Sequence, residues 1–308
     1  FSNSYEKILV NSEKTRKFFD YPITLKEDAT QKSDAYWDSA RHEELSDDEK
    51  RVIAMIDTLT NVKVIKNYVE FINIIFNGYK TFGKIDFGPY ALVYGRNAIE
   101  GNRVRIGAKT NFSFSKRFIL SGYGAYGFGD RQFKYKAQVE QVLSRKHWTM
   151  LGLSYKRDVE QIGVTDDYYG SSNLFTAVSV FAASQLNRAQ ESKFWFNSEF
   201  TKGWNAKIVL MHKEYQFAPV NKFNFAYFDT PSDTLNKSSD FTNATATFSL
   251  RWAPKEYYLQ NDNERVRQSK PGGLALSVNY TRGIKGILNS GYAYSKATFS
   301  ISDYLKVP

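Results

Sequence analysis

Apolar and polar residues alternate without a break through residues 101–114, GNRVRIGAKTNFSF. Arg103, Arg105, Lys109 and Asn111 share one parity, while Val104, Ile106, Ala108, Thr110, Phe112 and Phe114 share the other. Successive side chains of a strand point to opposite faces, so the stretch predicts a ribbon with one charged and one apolar side. The same period of two recurs from Lys84 onward. It predicts strands over about 84–94, 102–112, 117–128, 132–144, 148–158, 193–202, 205–217, 242–252, 256–261, 273–282 and 293–304. In the fourth, Phe133, Tyr135, Ala137, Val139 and Leu143 alternate with Gln132, Lys134, Lys136, Gln138, Glu140 and Ser144, with Gln141 as the exception on the apolar side. In the eighth, Ala244, Ala246, Phe248, Leu250 and Trp252 alternate with Asn243, Thr245, Thr247, Ser249 and Arg251.

Before Lys84 the pattern differs. Residues 1–45 are polar and weakly patterned, and predict an extended or loosely ordered lead-in. At Ser46 the run SDDE offers a capping box to Glu49, followed by Val52, Ile53, Ile56 and Leu59 at helical spacing. A second helix is predicted over about Val62–Phe76, with a wide apolar stripe ended by Asn77 and Gly78. These helices are expected to pack on the body of the protein.

Several strand candidates reach the ~9–11 residues of a tilted membrane strand, against about 5–6 in globular sheets. Aromatic residues crowd their ends, among them Phe118, Phe128, Trp148, Trp204 and Trp252, where interfacial girdles would place them. The connections after even strands are tight (SFSK, RKH, KGW and APKE), whereas those after odd strands vary and include long insertions at about 159–192 and 218–241. Long two-faced strands with short turns at one end and large loops at the other predict an all-β protein, an antiparallel up-and-down transmembrane β-barrel. A soluble barrel has the same alternation with the apolar face turned inward, and periodicity alone does not choose between them.

Composition narrows the choices. The 24 Phe, 21 Tyr and 5 Trp make up 16% of the chain while the hydrophobic total is an ordinary 42%, so apolar mass is concentrated in rings. A net charge of +10 permits attraction to phosphate on lipid or nucleic acid. The absence of Cys removes disulfides and thiolate metal sites. No apolar run approaches the ~18 residues of a membrane helix. Nothing resembles a nucleic-acid recognition module, and basic balance alone explains neither strand length nor aromatic placement. No nucleic-acid partner is expected.

Several stretches resemble an outer-membrane β-barrel family of unknown function from the Bacteroidota, often preceded by a carboxypeptidase-regulatory-like module. They are YWDSARHEELSDDEKRVIAMIDTL, GYKTFGKIDFGPY, IEGNRVRIGAKTNFSFSKRFILSGYGAYGFGDRQFKY, LSRK with LGLSYKRDVEQIG, LRWAPKE and YTRGIKG. The resemblance implies a bacterial outer-membrane location, contact with outer-membrane lipid including lipopolysaccharide, and outer-membrane or periplasmic protein partners. The expected division is a periplasmic lead-in over 1–45, two periplasmic or interfacial helices over 46–80, and the N-terminal part of a barrel over 81–308. An odd count of about eleven strands, where single-chain barrels close on an even one, predicts that this barrel is incomplete within the chain.

If the apolar face meets lipid, Arg103, Arg105, Lys109, Lys134, Lys136 and Glu140 face the interior, where they either attract an anionic solute or pair with acids of other strands. His42, His147 and His212 are the only histidines, none at nucleophile or metal spacing, and no catalytic, cofactor or metal residue is expected. The expected role is noncatalytic, in transport, export or assembly at the cell surface, within a larger complex. The alternatives are a plugged structural barrel and a membrane-embedded hydrolase built on His212. SSNLFTAVSVFAASQLNRAQ, 171–190, reads equally as a helix with Leu174, Phe175, Val178, Phe181 and Leu186 on one side or as a strand.

Overall fold

A computed structural model describes residues 23–24, 32–41, 45–63, 65, 67–68, 71, 74, 78–161, 186–216, 227–228, 237–238, 240–260, 263–268 and 273–302. In chain order its elements are β1 (Ile23–Thr24), α1 (Asp34–Ala40), α2 (Asp47–Asn61), β2 (Lys80–Phe82), β3 (Ile85–Phe87), β4 (Tyr94–Asn97), β5 (Gly101–Thr110), β6 (Phe118–Gly127) and β7 (Gln132–Ser144). There follow β8 (Thr149–Gln161), β9 (Leu186–Thr201), β10 (Trp204–Gln216), β11 (Tyr227–Phe228), β12 (Lys237–Ser238), β13 (Phe241–Trp252), β14 (Tyr257–Gln260), β15 (Arg265–Gln268), β16 (Ala275–Gly283) and β17 (Tyr294–Ser302).

The long strands form one sheet in the order β17-β16-β13-β10-β9-β8-β7-β6-β5-β3-β2, with β4 also on β5. Every pairing in it is antiparallel and neighbours follow chain order, which is an up-and-down meander. Among the described residues the sheet does not close: β17 lies at one edge, and β2 with β4 at the other.

Each expected strand has a counterpart, with three differences. The strand expected over 84–94 is broken into β3 and β4, because Pro89 carries no N–H for the ladder and Tyr90–Leu92 turn in a short 3-10 helix. The strand expected over 256–261 is β14, but it leaves the main sheet, pairing with β15 and, in parallel, with β1. The APKE turn therefore opens an excursion, and β13 pairs directly with β16. Third, β8 and β9 extend to Gln161 and back to Leu186, so residues expected in a long loop belong to strands. Residues 162–185 lie outside the described set, and with them most of the ambiguous 171–190 segment; its last five residues, from Leu186, open β9.

The capping box forms. Ser46 Oγ accepts from Glu49 N at 3.3 Å and the Glu49 carboxylate accepts from Ser46 N at 2.9 Å, opening α2 one residue later. A short helix the pattern had not indicated, α1, starts at the Ser33 cap within the expected lead-in. The second helix expected over 62–76 falls largely outside the described residues.

Burial of the two faces inverts the usual order. Ile106, Phe133 and Phe299 are 68%, 74% and 74% exposed, whereas Lys134 and Lys213 on the opposite face are 3% and 5% exposed. Among the described residues, buried polar and charged residues outnumber buried apolar ones, and the hydrophobic cluster is Ile99, Val159 and Leu186. Water-soluble domains of this size bury Ile, Leu, Val and Phe and leave Lys and Glu outside. The face is also concave, as its bridges require: Arg103 on β5 grips Asp158 on β8 past two intervening strands, about 14 Å on a flat sheet.

Candidate functional site: the charged face of the sheet

At the end of the strands near the β4–β5 and β6–β7 turns, the charged face is an ionic network. Asn97 builds the first turn: its Oδ1 accepts from Ile99 N at 3.1 Å and Glu100 N at 2.8 Å, and its Nδ2 donates to Glu100 Oε2 at 2.6 Å. The carboxylate of Glu100, fully buried, meets Arg103 at 3.0 Å and Lys134 at 3.0 Å. Lys134 also donates to both oxygens of Asp130, at 2.6 and 2.7 Å. Gly127 makes room for this convergence, since a Cβ there would come within 2.5 Å of Asp130 Oδ1 and 2.9 Å of Glu100.

Arg103 closes on Asp158 as a fork, Nη1 to Oδ1 at 2.6 Å and Nη2 to Oδ2 at 2.9 Å, and Tyr123 donates its hydroxyl to the same carboxylate. One step further round the sheet, Lys213 on β10 pairs with Glu191 on β9 at 2.9 Å and with Glu160 on β8, which also pairs with Lys156. Desolvated charges are tolerated only when paired and hydrogen-bonded. These are.

The opposite end is covered. The β14–β15 hairpin folds back over the tight turns: Gln260 donates to Arg145 O at 3.0 Å and Asn263 to Ser115 O at 3.0 Å. Arg265 pairs with Glu199 and lies over the Tyr258 ring at 3.8 Å, and Arg251 on β13 donates to Glu256 at 2.7 Å. Burial, then the Glu256 carboxylate bonded to its hydroxyl, pushes the Tyr258 phenol up to about 12.

All six charges singled out from parity, Arg103, Arg105, Lys109, Lys134, Lys136 and Glu140, share the concave face by register. Arg103 and Lys134 enter the ionic network. Arg105 stacks on the Tyr123 ring at 3.6 Å, Lys109 on the Tyr79 ring at 4.7 Å, and Glu140 lies within the fields of Lys136, Lys207 and Lys109. Sequence reasoning missed Asp158, Glu160 and Glu191. Glu160 and Glu191 lie outside the expected strand bounds of 148–158 and 193–202, whereas Lys156 and Asp158 lie inside the first but alternate with a charged Arg157 as well as with Tyr155 and Val159, which blurs the two-faced pattern.

Of the histidines, His212 turns to the outer face, where its Nε2 meets the Leu288 carbonyl oxygen at 3.0 Å, and His147 lies in the turn after β7. His42 is outside the described residues. No group of three potential metal ligands occurs among the described residues.

Such a molecule is an antiparallel β-sheet protein whose charged face is buried and whose apolar face is bare. Residues 74–308 match the C-terminal domain of a family of unknown function, DUF5686, and the chain belongs to that family. No curated protein matches it.

Proposed function

We propose that the chain forms the wall of an integral β-barrel of the bacterial outer membrane, its apolar face on lipid and its charged face toward the interior. Its role is noncatalytic, in transport, export or assembly at the cell surface as part of a larger complex. The supporting observation is the inversion of the faces. Bare rings and alkyl groups over a buried ionic face are costly in water and favourable in hydrocarbon.

The dimensions agree with a bilayer. On β7 the outward apolar residues run from Phe133 to Leu143, ten residue steps. That is about 34 Å of strand, or about 26 Å of depth at a tilt of ~40°, against the ~25 Å apolar band of such barrels. In hydrocarbon an edge such as that of β17 requires a strand partner, so closure is part of the proposal. The resemblance of the sequence motifs to outer-membrane barrels adds weight from a separate direction.

Alkaline carbonate extraction of cell envelopes carrying the intact protein tests the reading. Retention in the outer-membrane fraction is expected; release into a form soluble without detergent overturns it.

The hairpin over the turn end favours a plugged interior over an open channel. Planar-bilayer recording separates the two: a plugged barrel passes no current at any voltage. The hydrolase alternative is weakened by His212, whose Nε2 is engaged by the Leu288 carbonyl and so holds the β16–β17 loop to the wall.

A further inference from the structure

We propose that the outward face carries a binding site for a phosphate-bearing membrane lipid, with one acyl chain lodged beneath the loop between β16 and β17 and the phosphate on Arg282. The proposal rests on that face being the lipid-facing side of the barrel. It comes from two features of the wall that plain lipid contact does not require: a built crevice and a cation without a counter-charge.

The crevice is made by an insertion in the ladder. Ile284 N donates to Ala244 O at 2.9 Å and Gly291 N to Thr242 O at 3.1 Å, so seven residue steps on one side span two on β13. The excess folds flat against the outward face. His212 Nε2 meets Leu288 O at 3.0 Å, and the buried Ser290 accepts from Ala244 N through its Oγ at 3.0 Å. Leu288 and Asn289 take left-handed backbone, φ 49° and 62°, which side chains of this kind rarely adopt, so these contacts hold the loop against a local cost. Beneath it lies a crevice of about 390 Å³, with Leu153, Phe194 and Leu210 of the wall below and Ile284, Ile287 and Leu288 above. That volume falls within the ~300–1,000 Å³ of small-molecule sites. Leu210 stands six residues from Trp204, about 20 Å of strand or ~16 Å of depth at ~40° tilt, in the half of the apolar band nearer the loops. At that depth in hydrocarbon the available occupant is a lipid chain.

The cation is Arg282. Its register row runs through Ala246, Leu210, Phe194, Leu153 and Val139, all apolar. The side chain is exposed and donates to a neutral group, Ser295 Oγ, at 2.7 Å, which the Tyr280 hydroxyl also meets at 3.1 Å. The outward carboxylates on that side, Glu214 and Asp240, stand four residues beyond Leu210 and six before Ala246, about 14 Å or more along the strands. Among the described residues no carboxylate pairs with Arg282. An arginine on the lipid face is costly unless an anion meets it. Its planar fork matches phosphate, and the two hydroxyls beside it add donors. Arg282 lies two strands from Leu210, about 10 Å, so one lipid can set its phosphate on the guanidinium and a chain in the crevice.

The test titrates dioleoyl phosphatidylglycerol or dioleoyl phosphatidylcholine into the intact detergent-solubilised protein and counts retained lipids by native mass spectrometry. One phosphatidylglycerol per chain is expected, held about tenfold more tightly than phosphatidylcholine, the scale of a charge-assisted hydrogen bond. Arg282→Leu should lose that preference and, because a cation leaves the lipid face, keep or raise its unfolding midpoint in phosphatidylcholine vesicles. Leu210→Trp, which fills the crevice from the wall side, should weaken both lipids and keep their ratio. Equal retention of the two lipids by the parent, an unchanged preference in Arg282→Leu, unchanged retention in Leu210→Trp, or displacement of phosphatidylglycerol by inorganic phosphate each overturns the site. Carbonate extraction reports separately on the barrel: a protein retained in membranes but without lipid preference refutes this site alone.

Discussion

Replacing Ile106 with arginine separates a lipid-facing wall from a water-facing one. Ile106 is the sixth of the ten residues of β5, points outward, and is 68% exposed. It lies about 17 Å along the strand from Gly101 and about 14 Å from Thr110, or about 13 and 10 Å of depth at ~40° tilt, which places it near the middle of a ~25 Å apolar band. An arginine at that depth costs ~2–4 kcal/mol on the lipid face of a membrane barrel, falling to ~0–1 near the interfaces. The corresponding drop in the folding constant is about 30-fold to 900-fold. Were the same face in water, an exposed Ile→Arg change would stay within about 0.5 kcal/mol. The assay is guanidinium unfolding of the intact protein reconstituted in phospholipid vesicles, followed by tryptophan fluorescence, with Leu143→Arg at the end of β7 as the shallow comparison. The midpoint should fall for Ile106→Arg at unchanged denaturant slope and move little for Leu143→Arg. Equal, small effects at both positions would refute the lipid-facing assignment and the face inversion as its cause.

Three further outcomes follow from the same structure. Asp158→Ala strands the forked Arg103 and should cost ~3–5 kcal/mol, whereas the apolar pair Asp158→Leu/Arg103→Met should recover much of it; a double-mutant cycle with no coupling removes the argument. Gly152→Val should destabilise by at least ~1–3 kcal/mol, because a Cβ there overlaps the Trp195 ring, and Trp195→Ala in the same chain should relieve it; vesicle unfolding of the two variants decides. Tyr258, raised to about 12 in the folded state against an ordinary value of 10.0, favours folding below about pH 10 and loses that contribution as pH rises toward 12. Ultraviolet difference titration should show its ionisation moving down in Glu256→Gln, and an unmoved curve excludes the Glu256 contact as a cause.

The long strands, their up-and-down succession and the two sides of each were legible in the amino-acid pattern. Parity along a strand is local: once Arg103 is assigned to one side, Arg105 and Lys109 must join it, whatever the rest of the molecule does. The capping box at Ser46 was legible for the same reason, because its four residues supply both partners. The separate path of β14 was not. Tyr257–Gln260 alternates like a short wall strand, and its removal to the turn end depends on Gln260, Asn263 and Arg265 finding Arg145, Ser115 and Glu199, more than fifty residues away in the chain.

By itself, then, the chain determined that its strands have one ionic and one oily side, since side-chain direction follows from backbone geometry within a few residues. Which side is buried was decided only by tertiary structure, because it depends on the sense in which the whole sheet bends. Curvature brought Arg103 to Asp158 across two intervening strands and Lys207 toward Glu140 across another two. No spacing in the sequence encodes those meetings, as they arise from the summed twist and stagger of many strands.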